Sequence, residues 1–96
     1  MYEQRVDNWL HLHNLAHVVE PRYPWDARYR ADFLVGDTYI EVWGVTNNDR
    51  YQQRKAMKIE RCRQEGLPLI QLRVWDFSRR WQRRLEPLLQ QSLSET

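Results

Sequence analysis

A chain of 96 residues has room for one domain and one modest core. A single cysteine, Cys62, excludes an internal disulfide and a cysteine-based zinc centre, and no apolar run approaches the roughly 20 residues of a membrane span. Net charge is only +2 but uneven, because residues 1–49 carry four arginines against eight acids, whereas residues 50–96 carry eleven lysines and arginines against five.

In chain order, residues 3–13 read as a helix with Val6, Trp9, Leu10 and His13 on one stripe. Glu3 sits in its first turn, where a carboxylate is favoured by the helix dipole and is also a further acid available to a site. His11, His13 and His17 do not share one helix face, and Asn14 is expected to end the helix, so a zinc site is not expected. His17-Val18-Val19-Glu20 reads as a short strand. Pro21 and Pro24 then predict an extended connection through Arg22 and Tyr23, with residues 25–28 completing the loop.

The most informative stretch is 29–44. It reads as two strands joined at Gly36-Asp37, with glycine suiting the first central position of a type II′ turn. That turn pairs Val35 with Thr38, Leu34 with Tyr39, Phe33 with Ile40 and Asp32 with Glu41; a symmetric four-residue loop gives the same register. Tyr29, Ala31, Phe33, Val35, Thr38, Ile40 and Val42 then share a mostly apolar face. Arg30, Asp32, Leu34, Tyr39, Glu41 and Trp43 share the other. Two carboxylates placed directly opposite repel, and a divalent cation held by both is one way to offset this. The bland alternative makes Asp32 a solvated edge residue and pairs Glu41 with an arginine.

Asn48 or Asp49 can cap a helix running to about Glu65, with Gly66 as the residue past its end and Pro68 preventing continuation. Ala56, Ile59 and Cys62 mark its apolar side, with Met57 beside them. Tyr51, Lys55, Lys58 and Cys62 form an adjacent stripe, and Arg50, Arg54, Arg61 and Arg63 spread outward. Residues 69–74 predict a strand, apolar enough to be central. Asp76 or Ser78 is expected to cap a last helix over about 78–91, with Phe77, Trp81, Leu85, Leu88 and Leu89 on one stripe, Arg79, Arg80, Arg83 and Arg84 largely off it, and Pro87 kinking or shortening it. The order α-β-β-β-α-β-α implies an α/β fold, a mixed four-stranded sheet flanked by helices in one domain over residues 1–96.

These residues resemble the PD-(D/E)xK nuclease superfamily, with its restriction-endonuclease-like core. The resemblance rests on Glu3 in the first helix, Ala31-Asp32 at a strand end and Glu41-Val42-Trp43 on the partner strand. Tyr39-Ile40-Glu41-Val42-Trp43-Gly44, followed by Tyr51, Arg54 and Lys58 and then Gly66-Leu67-Pro68-Leu69-Ile70, is similar to a branch of small very-short-patch-repair-like and helicase- or transposase-associated domains. It covers roughly residues 3–75. Two positions depart from the pattern. Ala31 replaces the motif proline, and Trp43 replaces the motif lysine. Some branches supply that lysine from the following helix, which makes Lys58, then Lys55, the expected substitute.

The resemblance implies Mg²⁺ or Mn²⁺ held by Asp32, Glu41 and the Val42 carbonyl, with Lys58 and Glu3 as further catalytic groups. It implies DNA as substrate, in repair or recombination. Arg30, Arg50, Arg54, Lys55 and Arg61 would contact phosphates, and Trp43 would wall the site or stack on a base. The expected location is cytoplasmic, and the expected partners are a second copy or a larger DNA-processing protein from which this is one domain. Two other readings stay open: a nuclease fold that only binds nucleic acid, and an interaction module with coincidental carboxylates.

Overall fold

The structure is a computed structural model that describes residues 2–44, 46–74, 77 and 80–94. The expected cap at Asp76 or Ser78, and Val45 and Arg79, lie outside the described residues. Helix α1 spans Tyr2–Leu12. Five strands follow: β1 (Val18–Val19), β2 (Arg22–Tyr23), β3 (Asp26–Arg30), β4 (Phe33–Val35) and β5 (Thr38–Trp43). Helix α2 spans Asp49–Gln64, strand β6 Leu69–Arg73 and helix α3 Glu86–Ser94, the last entered through a 3-10 turn over Trp81–Leu85.

The main sheet has the order β1-β4-β5-β6, antiparallel except for the parallel β5–β6 pair. It is a mixed four-stranded sheet with helices packed on it, as the sequence predicts. The turn behaves as expected: Gly36 has φ +59°, and Val35↔Thr38, Leu34↔Tyr39 and Phe33↔Ile40 are paired. Helix α2 also starts where expected. Asn48 Oδ1 accepts from the Tyr51 N–H at 3.1 Å, and Gly66 at φ +67° follows the helix end.

Several expectations are corrected. The strand predicted through residues 29–35 is broken at Ala31-Asp32. Its first part, β3, pairs instead with β2, so the proline-rich segment is a two-stranded ribbon rather than a plain connection. The Ala31 N–H donates to the Pro21 carbonyl, and Glu20 N–H to the Asp32 carbonyl, which stitches the break to the chain before it. Because the break re-aims the chain, Tyr29 and Ala31 leave the face of Phe33 and join the opposite core. Among the described strands β6 is an edge strand, not a central one. Pro87 does not kink a long helix. It stands in the first turn of α3, where its missing N–H costs nothing, and the stretch before it tightens into the 3-10 turn.

Two cores flank the sheet. On one side Val6 and Leu10 of α1 meet Phe33, Val35, Ile40 and Leu72 of the sheet and Phe77, Trp81, Leu85 and Leu88 of the C-terminal segment. On the other side Cys62 of α2 packs with Tyr23, Ala31 and Tyr39, and with Leu34, Leu67 and Leu69 around them. Helix α2 is rotated from its expected setting. Ala56 is exposed and Ile59 half-buried, while Tyr51, Lys55, Lys58 and Cys62 make the inward stripe. Two lysines therefore face the sheet, and what lies opposite them explains why.

Candidate active site

Strand alternation puts Tyr39, Glu41 and Trp43 on the α2 side of β5. Glu41 is 3% exposed, a buried carboxylate in the middle of a sheet. Such a group needs partners, and two are supplied. Lys58 Nζ lies 3.0 Å from Glu41 Oε2, and the Tyr23 hydroxyl donates to the same oxygen at 2.9 Å. Lys58 also donates to the Arg30 carbonyl at 2.7 Å and lies over the rings of Trp43 and Tyr23. Lysine is thus drawn inward by Glu41 against its usual preference for solvent. Glu41 pairs with a lysine and not, as the bland reading had it, with an arginine.

Asp32 does not sit opposite Glu41 in the ladder, which ends at Phe33↔Ile40. The chain bends at Asp32. Its N–H donates to the Ile40 carbonyl at 3.1 Å and its Oδ2 accepts from the Val42 N–H at 2.6 Å. The side chain is thereby tied to β5 beside Glu41, half-buried rather than a solvated edge. Among the described residues, hydrogen bonds engage only Oδ2 of Asp32 and only Oε2 of Glu41. Each carboxylate thus has one oxygen outside the hydrogen bonds of the described residues.

The electrostatics follow from burial. Desolvation pushes the Glu41 carboxyl up to about 7, against the charge and hydrogen bond of Lys58, and the Asp32 charge adds to the rise. Asp32 is raised too, by desolvation first, against the Val42 N–H; the charges of Glu3 and Glu20 push it further. Burial and the Glu41 charge drive the Tyr23 phenol upward, so it stays a hydrogen-bond donor. The built-in cations do not fully balance the acids. Shifts of this kind concentrate at sites that bind ions or do chemistry.

Both carboxylates line a cavity of about 420 Å³ at the C-terminal end of β5, together with Arg30, Val42, Trp43, Arg54, Lys55 and Lys58. A neighbouring depression joins Glu3 and Arg50 to Val42, Tyr51 and Arg54. So the fold brings together Asp32, Glu41, Val42, Lys58, Lys55, Arg30 and Arg54, with Glu3 and Arg50 at the rim. Arg54 is turned toward the cavity rather than simply outward. Arg61 is not brought there; its guanidinium lies over Trp25 and pairs with Glu65 at 3.3 Å.

Trp43 is buried at the motif lysine's position. Its indole N–H donates to Gln71 Oε1 at 3.0 Å, and Lys55 lies over its ring at 5.4 Å. Sequence reasoning missed Tyr23, Gln71 and Glu20. Gln71 had a signal, as the polar residue of an apolar strand, and the parallel register puts it beside Glu41. Tyr23 had none, because nothing local ties it to a carboxylate 18 residues on.

The described residues also hold a separate acid–imidazole group, Asp7, His11 and His17, that could hold a metal ion. His13 lies apart, stacked on Trp9. Compared with known proteins, the chain matches no family model, no curated protein and no solved structure. No helix among the described residues is long and apolar enough to cross a membrane.

Proposed function

We propose that this domain is a metal-dependent endonuclease with a restriction-endonuclease-like core, hydrolysing phosphodiester bonds of DNA. The observation that carries the reading is a buried and a half-buried carboxylate, each with one oxygen outside the hydrogen bonds of the described residues, beside an inward lysine in a cavity rimmed by Arg28, Arg30, Arg54 and Lys55. Hard oxygen donors suit Mg²⁺ or Mn²⁺. Asp32 and Glu41 would hold the ion, with the Val42 carbonyl as the further ligand the resemblance implies. When bound, it would supply Lewis-acid polarisation of a phosphoryl oxygen and a more acidic water.

The chain's own groups do the rest. Lys58 fixes Glu41 and has a third donor beyond its bonds to Glu41 and the Arg30 carbonyl, enough to orient water or meet developing charge on the phosphoryl group. Arg30, Arg54 and Lys55 meet backbone phosphates, which gives salt-sensitive, largely sequence-independent affinity. Arg50 and Glu3 extend the same rim. A second active site for the other strand would come from a homodimer or from fusion to a larger DNA-processing protein.

Trp43 favours a second reading. A bulky indole packed at the motif lysine's position also suits a nuclease fold that binds nucleic acid without cutting it.

Nicking of supercoiled plasmid with Mg²⁺ or Mn²⁺ decides between them. Wild type is expected to nick, and Asp32→Ala and Glu41→Ala to fall to background. Lys58→Ala should lose about 10²–10³ in rate, the scale set by removing one preorganised charge-stabilising donor. Salt-sensitive binding without cleavage in either metal establishes the binding module instead.

A further inference from the structure

The acid–imidazole group on α1 shares no residue with the carboxylate cavity. Asp7 and His11 stand four residues apart on one face of α1. Asn14, at φ +55°, turns the chain out of the helix, and Leu15 is pinned by its N–H to the Leu10 carbonyl at 2.9 Å. The turn brings His17 back over the helix. Its side chain is 5% exposed, set edge-on against Phe33 and against the His11 ring.

Both ring nitrogens of His17 are engaged. Nδ1 lies 2.8 Å from the Leu15 carbonyl, which can only accept, so Nδ1 carries a proton. Nε2 lies 2.6 Å from Asp7 Oδ1. In a neutral imidazole with Nδ1 protonated, Nε2 is a lone pair, and so is the carboxylate oxygen it faces. A cation must join them, either a proton or a metal. A proton joins His17 and Asp7 alone, whereas a metal would also engage His11, whose Nε2 is 3.6 Å from the same Asp7 oxygen one turn along the helix. All three ligating atoms lie within 4.8 Å of one another, beside a surface depression lined by Asn14, Leu15, Ala16 and Val19.

We propose that Asp7, His11 and His17 bind one transition-metal ion of the Zn²⁺ type. Two imidazoles and one carboxylate are a borderline donor set, suited to Zn²⁺ and poorly matched to Mg²⁺. Metal–ligand bonds of about 2.0–2.2 Å in a tetrahedron put donors roughly 3.3 Å apart. The distances of 2.6 and 3.6 Å bracket that value, and His11, 70% exposed, is free to swing inward. The Leu15 carbonyl already provides the outer hydrogen bond that fixes a ligating imidazole's tautomer. Water completes the fourth position from the depression. The ion clasps α1 to the segment entering β1, and so braces the helix whose first turn carries Glu3.

The test uses the whole chain after chelator treatment, titrated with Zn²⁺ and, separately, Co²⁺. Wild type, His11→Ala and Glu41→Gln are compared by melting temperature and by the visible absorption of tetrahedral Co²⁺. His17→Ala can disturb packing on Phe33, so exposed His11 carries the test. The expected result is one imidazole-bound ion per chain, read by the tetrahedral Co²⁺ band, in both wild type and Glu41→Gln. His11→Ala should melt like wild type in chelator, lose at least about tenfold in Zn²⁺ affinity and lose the Co²⁺ band. Equal affinity in His11→Ala and wild type, no binding in wild type, or loss of binding in Glu41→Gln would overturn the proposal. None of these outcomes depends on DNA cleavage.

Discussion

The two faces of the sheet solve different problems with similar strands. On the α1 and α3 side the core among the described residues is apolar, from Val6 and Leu10 to Leu85 and Leu88, with buried Thr38 at its margin. On the α2 side, β5 alternates the same backbone with Tyr39, Glu41 and Trp43, and the helix above answers with Lys55 and Lys58. The first face is held by the transfer of apolar area from water. The second buries a carboxylate whose ionisation its surroundings resist. One face stabilises the fold, and the other spends part of that stability on a charged cavity.

Breaking the apolar face should have the largest effect on stability. Leu85→Ala, at a fully buried position, is expected to lose about 2–5 kcal/mol by chemical denaturation. Under the endonuclease reading, the surviving folded fraction should keep its activity per molecule. A change in activity per folded molecule would show that the two faces are coupled.

The charged face should respond in the opposite direction. An acid raised from 4.5 to about 7 in the folded state contributes stability that is fully present below about 4.5 and is lost as pH rises through about 7. Asp32, also raised, acts with the same sign. Without divalent metal, wild-type stability should therefore fall across that window by about 3 kcal/mol from Glu41, at 1.36 kcal/mol per unit. Glu41→Gln should flatten the profile. Under the endonuclease reading, added Mg²⁺ should stabilise wild type more at pH 8 than at pH 6, since a ligand of the ionised form favours the native state. An unchanged slope in Glu41→Gln would remove Glu41 from the account.

Lys55→Ala should give the smallest change. It removes one cation from over Trp43, worth about 0.5–1 kcal/mol. If the cavity rim meets phosphate, the variant should also weaken DNA binding uniformly across sequences and reduce the salt slope by about 1. A salt slope equal to wild type would place Lys55 in packing alone.

Much of this architecture was legible locally. Helix α1, the Gly36 turn with its register, the Asn48 cap and the Gly66 stop each follow from a pattern within a few residues. Glu41, Asp32 and Lys58 were also singled out in the sequence, and they do meet in one cavity. The reason Asp32 reaches it was misread. A bend and a bond to the Val42 N–H bring it there, not a ladder position opposite Glu41.

The set of elements and the short-range pairing of the β4–β5 hairpin are written in local patterns, because hydrophobic periodicity and turn chemistry act over a handful of residues. Long-range packing set how those elements are turned. It set α2 on its lysine stripe, although Ala56 and Ile59 offered an apolar one, because buried Glu41 needed a cation. It also paired Tyr23 with that same carboxylate and folded His17 back over Asp7 and His11. The Asp7–His17 and Tyr23–Glu41 contacts join residues 10 and 18 positions apart, in segments whose own patterns carry no sign of each other. Only the cost of leaving a buried charge or a ring nitrogen unpaired brings them together.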